Sequence, residues 1–142
     1  LSGELYLRFL RNDLPNLLDD VSLQQRQRMW FMHDGAPAHF LLSVRRYLNR
    51  RYGERWIGRG GPVPWPPRSP DLNPLDFCVW GYAKSLVYTT DVTTPKELQH
   101  RIVDAFQQMK NDPGLFERIR ESLRRRVHRC IQVHGQHFEH LL

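Results

Sequence analysis

The sequence MWFMHDGAPAH, residues 29–39, joins a run of four bulky apolar residues to a short polar turn. A run of this length that stops at Gly35 and Pro37 is typical of a buried strand, although periodicity alone does not separate it from a buried helix. The pattern predicts a strand over 29–32 and places Asp34 just beyond its carboxyl end. In α/β proteins, carboxylates at this position hold divalent metal ions beside substrate phosphates.

The residues before this run are predicted to be mainly helical. Leucines and aromatic residues recur at near-helical spacing over 3–19, and a break in this amphipathic helix is expected near Pro15. The segment 24–28, with the sequence QQRQR, is interpreted as a polar connector.

The residues after the run predict one helix followed by a loop. The helix covers 38–52 and ends at Gly53, which suits a C-cap. Residues 56–74 are rich in glycine and proline and are expected to hold at most one short edge strand, around 63–65, because proline cannot donate to a sheet.

Three helices are predicted for the rest of the chain. Asn73 and Pro74 suit the N-cap and first position of a helix that ends near Val87, and Thr94 and Gly114 precede the other two. The apolar residues expected to face inward on these last two helices are Leu98, Ile102, Phe106, Met109, Leu115, Ile119, Leu123, Val127, Cys130 and Ile131. The arginines expected to face solvent on the last helix are Arg118, Arg120, Arg124, Arg125, Arg126 and Arg129.

Length and composition indicate a folded domain with a polyanionic partner. The chain has 142 residues, suited to one core, and its 40% hydrophobic content argues against disorder. The net charge of +6 favours nucleic acid over a membrane as partner. Two cysteines do not demand a disulfide framework, and no apolar run approaches the roughly 18 residues of a membrane span.

The two acidic residues Asp34 and Asp76 also have structural explanations. Asp34 could cap a turn with Gly35, and Asp76, three residues after Asn73, could favour the helix dipole. A zinc site is a further alternative, since histidines and a cysteine crowd the end of the chain, but no Cys-x-x-Cys pair accompanies them. These residues are His128, Cys130, His134, His137 and His140. The four tryptophans are interpreted as core and loop anchors rather than base-stacking platforms.

Four segments together resemble a known family. The motif HDGAPAH at 33–39, followed by SPDLNPLDF at 69–77 and then by Trp80 and Gly81, resembles the catalytic domain of the mariner-superfamily DDE transposases. The segments WIGRGGP at 56–62 and GQHFEHLL at 135–142 resemble the insect mariner-like type. The resemblance implies an α/β, ribonuclease-H-like fold, here truncated to few strands with several flanking helices and a helix-rich C-terminal half.

The resemblance also implies a two-metal site. In this family three acidic residues bind two Mg²⁺ or Mn²⁺ ions and cut DNA at transposon ends. By position, Asp34 corresponds to the second acid and Asp76 to the third, whereas Asp71 is a neighbouring motif residue. Residues 1–142 then form a partial endonuclease domain that lacks the first strands, the first catalytic Asp and the upstream DNA-binding region. Asp13, Asp19 and Asp20 occupy helix-like or turn-like sequence and do not replace the first acid, so we expect this chain alone not to cut DNA.

The partner implied by the family is DNA, as transposon ends and as target, bound in the nucleus by a homodimer of the full-length transposase. Candidate DNA contacts are one histidine beside the acidic motif and four arginines, namely His39, Arg45, Arg46, Arg59 and Arg68. The alternative is a non-catalytic nucleic-acid-binding or oligomerisation module derived from a transposase. A third possibility is a decayed reading frame whose product does not fold, since a sheet without its first strands exposes unpaired edges.

Overall fold

The computed structural model describes residues 1–138 and 140, which fall into two compact units, Leu1–Arg68 and Ser69–Leu142. Each unit has its own hydrophobic cluster, so two clusters replace the single core expected from the length. The family-like ending at 135–142 lies partly outside the described residues, because 139, 141 and 142 are not among them.

The first unit begins with a helical segment in three parts. These are α1 (Gly3–Arg8), a π-helical stretch (Phe9–Asp13) and α2 (Leu14–Leu17). The helix predicted over 3–19 is therefore confirmed, but the expected break near Pro15 is not a break. The helix widens upstream of Pro15 instead, and the proline lies in the first turn of α2, where it is tolerated.

The segment interpreted as a polar connector is a helix, α3 (Leu23–Arg28). Ser22 begins it: the Ser22 hydroxyl accepts a hydrogen bond from the Gln25 amide at 3.3 Å and donates one to the Gln25 side chain at 3.0 Å. This cap satisfies the backbone N–H of Gln25, which would otherwise need water. The connector interpretation was wrong because the cap signal was overlooked.

A two-stranded parallel sheet supports the acidic motif. Strand β1 (Phe31–Met32) pairs with β2 (Trp56–Ile57), and the connection from one strand to the other contains α4 (Leu42–Tyr52). The strand predicted over 29–32 is thus confirmed in part. The expectation of at most one short edge strand around 63–65 holds: Val63 forms a single bridge to β2, since the prolines on either side of it cannot donate.

The hydrophobic cluster of the first unit lies under α4. Leu10, Val44, Leu48 and Trp56 are fully buried, and the indole N–H of Trp56 donates to the Asn49 side chain at 2.9 Å. The helix ends as predicted at Gly53, whose φ of +60° lies in the left-handed region that glycine adopts without strain. The cluster thereby holds α4 and β2 against the N-terminal helical segment.

The second unit is helical throughout its described part. A 3-10 turn (Pro70–Leu72) and a π-helical stretch (Leu75–Val79) lead into α5 (Trp80–Val87), followed by α6 (Pro95–Asn111) and α7 (Leu115–Gln132). The three predicted helices are confirmed. No helix among the described residues is long and apolar enough to cross a membrane.

The predicted inner faces of α6 and α7 are only partly buried. Ala83, Met109, Leu115 and Ile119 form the cluster of this unit. Four residues expected to face inward are instead 39–65% exposed, namely Ile102, Phe106, Val127 and Ile131. The small residue Ala105 is buried on α6, so the packed face of this helix is centred on Ala105 and Met109 rather than on the larger side chains of the stripe.

Arg126 and two tryptophans also differ from expectation. Arg126, expected in solvent, places its guanidinium carbon 4.3 Å from the centre of the Phe77 ring, a cation–π contact. Trp56 and Trp65 are buried as expected, whereas Trp30 and Trp80 are 54% and 45% exposed.

Candidate active site

Asp34 lies directly after β1, in the first unit. The peptide N–H of Ala36 donates to Asp34 Oδ1 at 3.0 Å, which is the turn-capping contact considered from the sequence. Cap and ligand are compatible roles, because this contact orients the carboxylate and uses only Oδ1.

His39 fixes the same carboxylate from a second direction. It lies in the 3-10 turn Pro37–Phe40, and its Nδ1 is 2.7 Å from Asp34 Oδ1 and 3.2 Å from the Asp34 carbonyl oxygen. Because both neighbours are acceptors, Nδ1 is the nitrogen that carries the hydrogen. The His39 side chain is 17% exposed and that of Asp34 39%, so the carboxylate stays open to solvent while its orientation is held.

Two further residues, not predicted as site residues, form a layer behind this pair. The Tyr6 hydroxyl and His33 Nδ1 are hydrogen-bonded at 3.1 Å, and the His33 and His39 rings stack with centroids 4.7 Å apart. Burial, together with nearby His39, lowers the pKa of His33 to about 4, so His33 is neutral at neutral pH. Burial also raises the pKa of the Tyr6 hydroxyl, helped by the charge of Asp34. His33 could have been identified as a site residue from its position next to Asp34, whereas the sequence held no signal for Tyr6.

Gly58 is the reason that His33 fits beneath β2. A Cβ at this position would lie 2.3 Å from His33 Nε2 and 2.8 Å from the Trp56 ring, which is far inside contact distance. His33 Nε2 is buried and has no hydrogen-bond partner. The imidazole edge therefore packs directly on backbone.

Two of the four candidate arginines meet at one aromatic ring. The guanidinium carbons of Arg45 and Arg59 lie 4.5 and 4.3 Å from the centre of the Phe40 ring. Arg46 and Arg68 are exposed, and Arg68 has a positive φ of 56°. The structure thus brings Arg45 and Arg59 together.

Asp76 lies in the second unit, in the π-helical stretch before α5. The Asn73 side chain donates to Asp76 Oδ2 at 2.8 Å and accepts from the Leu75 amide at 3.1 Å, so Asn73 is the predicted N-cap and also orients Asp76. Asp76 is exposed and lines a cavity of about 570 Å³ with Trp80 and Lys84. A widened helical turn is a frequent feature of functional sites.

Asp71 has a different environment from Asp76. It is half-buried, and its carbonyl oxygen accepts from Arg126 at 3.4 Å. Together with the Arg126–Phe77 contact, this ties α7 to the segment that presents Asp76. Asp71 thus has a structural place in this motif.

Each of the two acids, taken within its own unit, offers donors that suit a hard divalent cation. Asp34 and Asp76 offer carboxylate oxygens, the ligands that Mg²⁺ and Mn²⁺ prefer. The described part of the chain contains no group of three or more His, Cys, Asp or Glu side chains placed to hold one ion, the C-terminal histidines included. Asp13, Asp19 and Asp20 are exposed and lie in helix or turn, not on a strand.

Comparison with known proteins places this geometry in context. No family model matches the chain. Its fold is similar to a structure of the Mos1 transposase catalytic domain and raltegravir with Mn, with a TM-score of 0.78, 25% identity, and coverage of 98% of this chain and 66% of that one. In sequence it is 28% identical over 132 residues to the Tc3 transposase of Caenorhabditis elegans, over 92% of this chain and 36% of the relative.

Fold and motifs therefore define a truncated, helix-rich domain of the ribonuclease-H-like class, as the sequence predicted. Within that class the chain is similar to mariner-family transposases and aligns with part of a transposase catalytic domain, which confirms the resemblance. The chain spans about a third of the length of the curated relative that it matches.

Proposed function

We propose that this chain contributes to metal-dependent cleavage and transfer of DNA strands, with Asp34 and Asp76 as metal ligands. The carrying observation is the Asp34 carboxylate, held after β1 by Ala36 and His39 and still open to solvent. The similarity to a catalytic domain solved with Mn supports the same role for the acids.

Each residue has a defined part in this proposal. Asp34 and Asp76 would hold the ions through carboxylate oxygens, His39 would keep Asp34 oriented, and Asn73 would do the same for Asp76. When bound, such ions activate the attacking oxygen and offset negative charge at the phosphorus. The arginines would position DNA through its phosphates, which supply affinity without sequence information. Since we find no counterpart of the family's first acid in residues 1–142, we expect these residues by themselves to bind metal and DNA without cleavage.

The assembly and location of the parent protein are part of the same proposal. Transposon ends and target DNA would be the partners, and the full-length transposase would act in the nucleus as a homodimer. The net charge of +6 is consistent with a nucleic-acid partner.

A second candidate function is nucleic-acid binding without catalysis. It is favoured by the pairing of Arg45 and Arg59 on Phe40, which does not depend on either acid. Such a module would bind DNA equally well in the presence of a chelator, whereas the leading proposal also requires divalent metal at the acids.

Metal binding provides the first test. Electron paramagnetic resonance of free Mn²⁺, titrated with the protein, should show weak binding that falls in Asp34→Asn and in Asp76→Asn. Asp104→Asn is the matched control, because Asp104 is an exposed acid on α6, so its loss should change nothing. Equal binding by all four proteins would refute the assignment of the acids.

Activity provides the second test. In a longer protein that supplies the upstream strands, we expect nicking of transposon-end DNA with Mg²⁺, and we expect Asp34→Ala or Asp76→Ala to abolish it. Undiminished nicking in either variant would contradict the proposal.

A further inference from the structure

The strongest charged feature outside the two acids is the pair of arginines on Phe40. We propose that Arg45, Phe40 and Arg59, here called the arginine clamp, form a binding site for the phosphodiester groups of DNA beside Asp34. The inference rests on the proposed function in taking DNA as the ligand, and it adds how Phe40 and the loop at Gly60 hold two of the named arginines beside Asp34 for the strand.

The clamp brings two cations to one ring. Both guanidinium carbons are within 4.5 Å of the centre of the Phe40 ring, so they can be no farther apart than the two distances together. The two guanidinium groups thus lie close enough together for neighbouring phosphates of one strand to contact one each. Two positive charges held this close without a described acid between them favour an anion as the bound partner.

The Arg45 guanidinium is also oriented. Arg45 Nε donates to the Phe40 carbonyl oxygen at 3.2 Å, which leaves the outer edge of that guanidinium, with its Nη groups, for a ligand. A guanidinium that stacks on an aromatic ring keeps its in-plane N–H groups available, and these match phosphate oxygens in a bidentate manner. Lysine could supply the charge but not this geometry.

The loop before Pro62 is shaped around the clamp. Gly60 has a φ of +73°, and a Cβ there would lie 3.1 Å from both Arg45 Cδ and the Phe40 ring and 3.2 Å from Arg45 Nη1. A side chain at this position would be strained and would also press on the guanidinium. Gly60 therefore lets the loop close over Arg45 without displacing it.

The clamp adjoins the acidic motif. A Cβ at Gly35 would lie 4.0 Å from Arg59 Cδ, so the Arg59 stem passes the residue that follows Asp34. A phosphate bound by the clamp would be held within the same unit as Asp34. This makes Arg45 and Arg59 positioning residues for the strand, whereas Asp34 would hold the ion.

The test measures DNA binding in a chelator, so that it does not depend on the metal proposal. Fluorescence anisotropy of a labelled 20-nucleotide single strand and of its duplex, followed from low to high salt, gives the affinity and its salt slope. Arg45→Gln or Arg59→Gln should weaken binding about tenfold at low salt and reduce the slope by about one unit. Arg50→Gln, on an exposed arginine of the same α4, makes the same charge change and should leave both nearly unaltered.

Two further variants separate the clamp from net charge. Phe40→Leu and Gly60→Ala leave the charge unchanged, and each should weaken binding several-fold by disordering the guanidinium groups. Circular dichroism checks folding; if either variant unfolds, Arg59→Lys replaces it, since Arg59 is exposed and the change keeps its charge while losing the fork geometry.

Several results would overturn the assignment. These are an equal loss in Arg50→Gln, full binding in both Arg→Gln variants, or no DNA binding by the wild-type chain. Inorganic phosphate serves as the competitor: displacement of the oligonucleotide at stoichiometric phosphate would mean that the site takes a free anion rather than DNA. If the wild-type chain binds no Mn²⁺ but binds DNA in a way that depends on Arg45 and Arg59, the metal proposal is refuted and the clamp proposal is retained.

Discussion

The carboxylate of Asp34 shows how much two short contacts achieve at the scale of one residue. An exposed aspartate samples several rotamers, but here Ala36 and His39 converge on Oδ1 and select one of them. Since a metal ligand must be oriented before the ion arrives, these contacts reduce the ordering that binding would otherwise require. The same reasoning applies to Asn73 and Asp76 in the second unit.

Removal of His39 should therefore weaken metal binding although His39 is not a ligand. We expect His39→Ala to lower Mn²⁺ affinity about tenfold, the lower end of the effect of losing a residue that orients a ligand. His39→Gln, which retains a donor, should recover part of the loss. The Mn²⁺ titration described above measures both.

His100→Ala is the matched control, because His100 is an exposed histidine on α6. If His39→Ala and His100→Ala bind Mn²⁺ equally well, the positioning role of His39 is refuted.

Among single residues, the sequence predicted the acids but not their surroundings. Asp34 and Asp76 could be singled out because their flanking motifs are local in the chain, and their role as metal ligands stays a prediction. Tyr6 could not, because it reaches His33 only after the chain folds back over 27 residues. Arg126 was assigned to solvent because helical periodicity contains no information about a ring such as Phe77 on another element.

At the scale of elements, the start of α6 is the best-defined junction. The Thr94 hydroxyl accepts from the Glu97 amide at 3.1 Å, and the Glu97 carboxylate accepts from the Thr93 amide and hydroxyl at 3.0 and 2.7 Å. Arg101 joins the same carboxylate at 2.6 Å and donates to the Val87 carbonyl at the end of α5. The Glu97 carboxylate and the Arg101 guanidinium thus join the start of α6 to the end of α5.

This junction should make stability depend on pH. The hydrogen bonds from Thr93, together with Arg101, lower the pKa of Glu97 from 4.5 to about 2. A lowered pKa in the folded state stabilises the protein fully above the unfolded value, so this contribution should be lost as pH falls from about 4.5 towards 2. Thermal melts of wild type and Glu97→Gln across this window should converge at low pH.

Glu121→Gln serves as the control, since Glu121 is an exposed acid on α7. Its melting temperature should differ from that of wild type by the same small amount at every pH. A constant difference for Glu97→Gln as well would contradict the assignment to Glu97.

The elements that could be predicted differ physically from those that could not. Helices α4, α6 and α7 carry their own signals in apolar periodicity and caps. Strand β2 has two residues and exists because Trp56 and Ile57 pair with Phe31 and Met32, a long-range event with no local pattern. The prolines around Val63 predicted correctly that little strand could form there, but they gave no sign of β2.

At the scale of the whole molecule, stability comes from two small clusters rather than one core. The first has Leu48 and Trp56 at its centre, and the second has Met109 and Leu115. Chain length alone could not predict this division, because the number of buried residues that length suggests does not say how they are distributed.

Leu48→Ala tests the first cluster. Leu48 is fully buried in the wild type, so its truncation should lower the free energy of unfolding by about 2–5 kcal/mol. Urea denaturation measures the loss, and hydrogen exchange should show weaker protection of amides within residues 1–68.

Leu42→Ala on the same helix is the control, because Leu42 is 50% exposed and should contribute far less. Equal losses in the two variants would show that Leu48 is not at the centre of a packed cluster.

The contact between Gly58 and His33 links two positions 25 residues apart in a way that should be visible across evolution. Since a Cβ at 58 would meet the imidazole at 2.3 Å, position 58 cannot gain a side chain while histidine occupies position 33. Lineages that gain a side chain at 58 should already carry a smaller residue than histidine at 33. The order of the two substitutions is thereby constrained: the residue at 33, immediately before Asp34, should change before the glycine at 58 does.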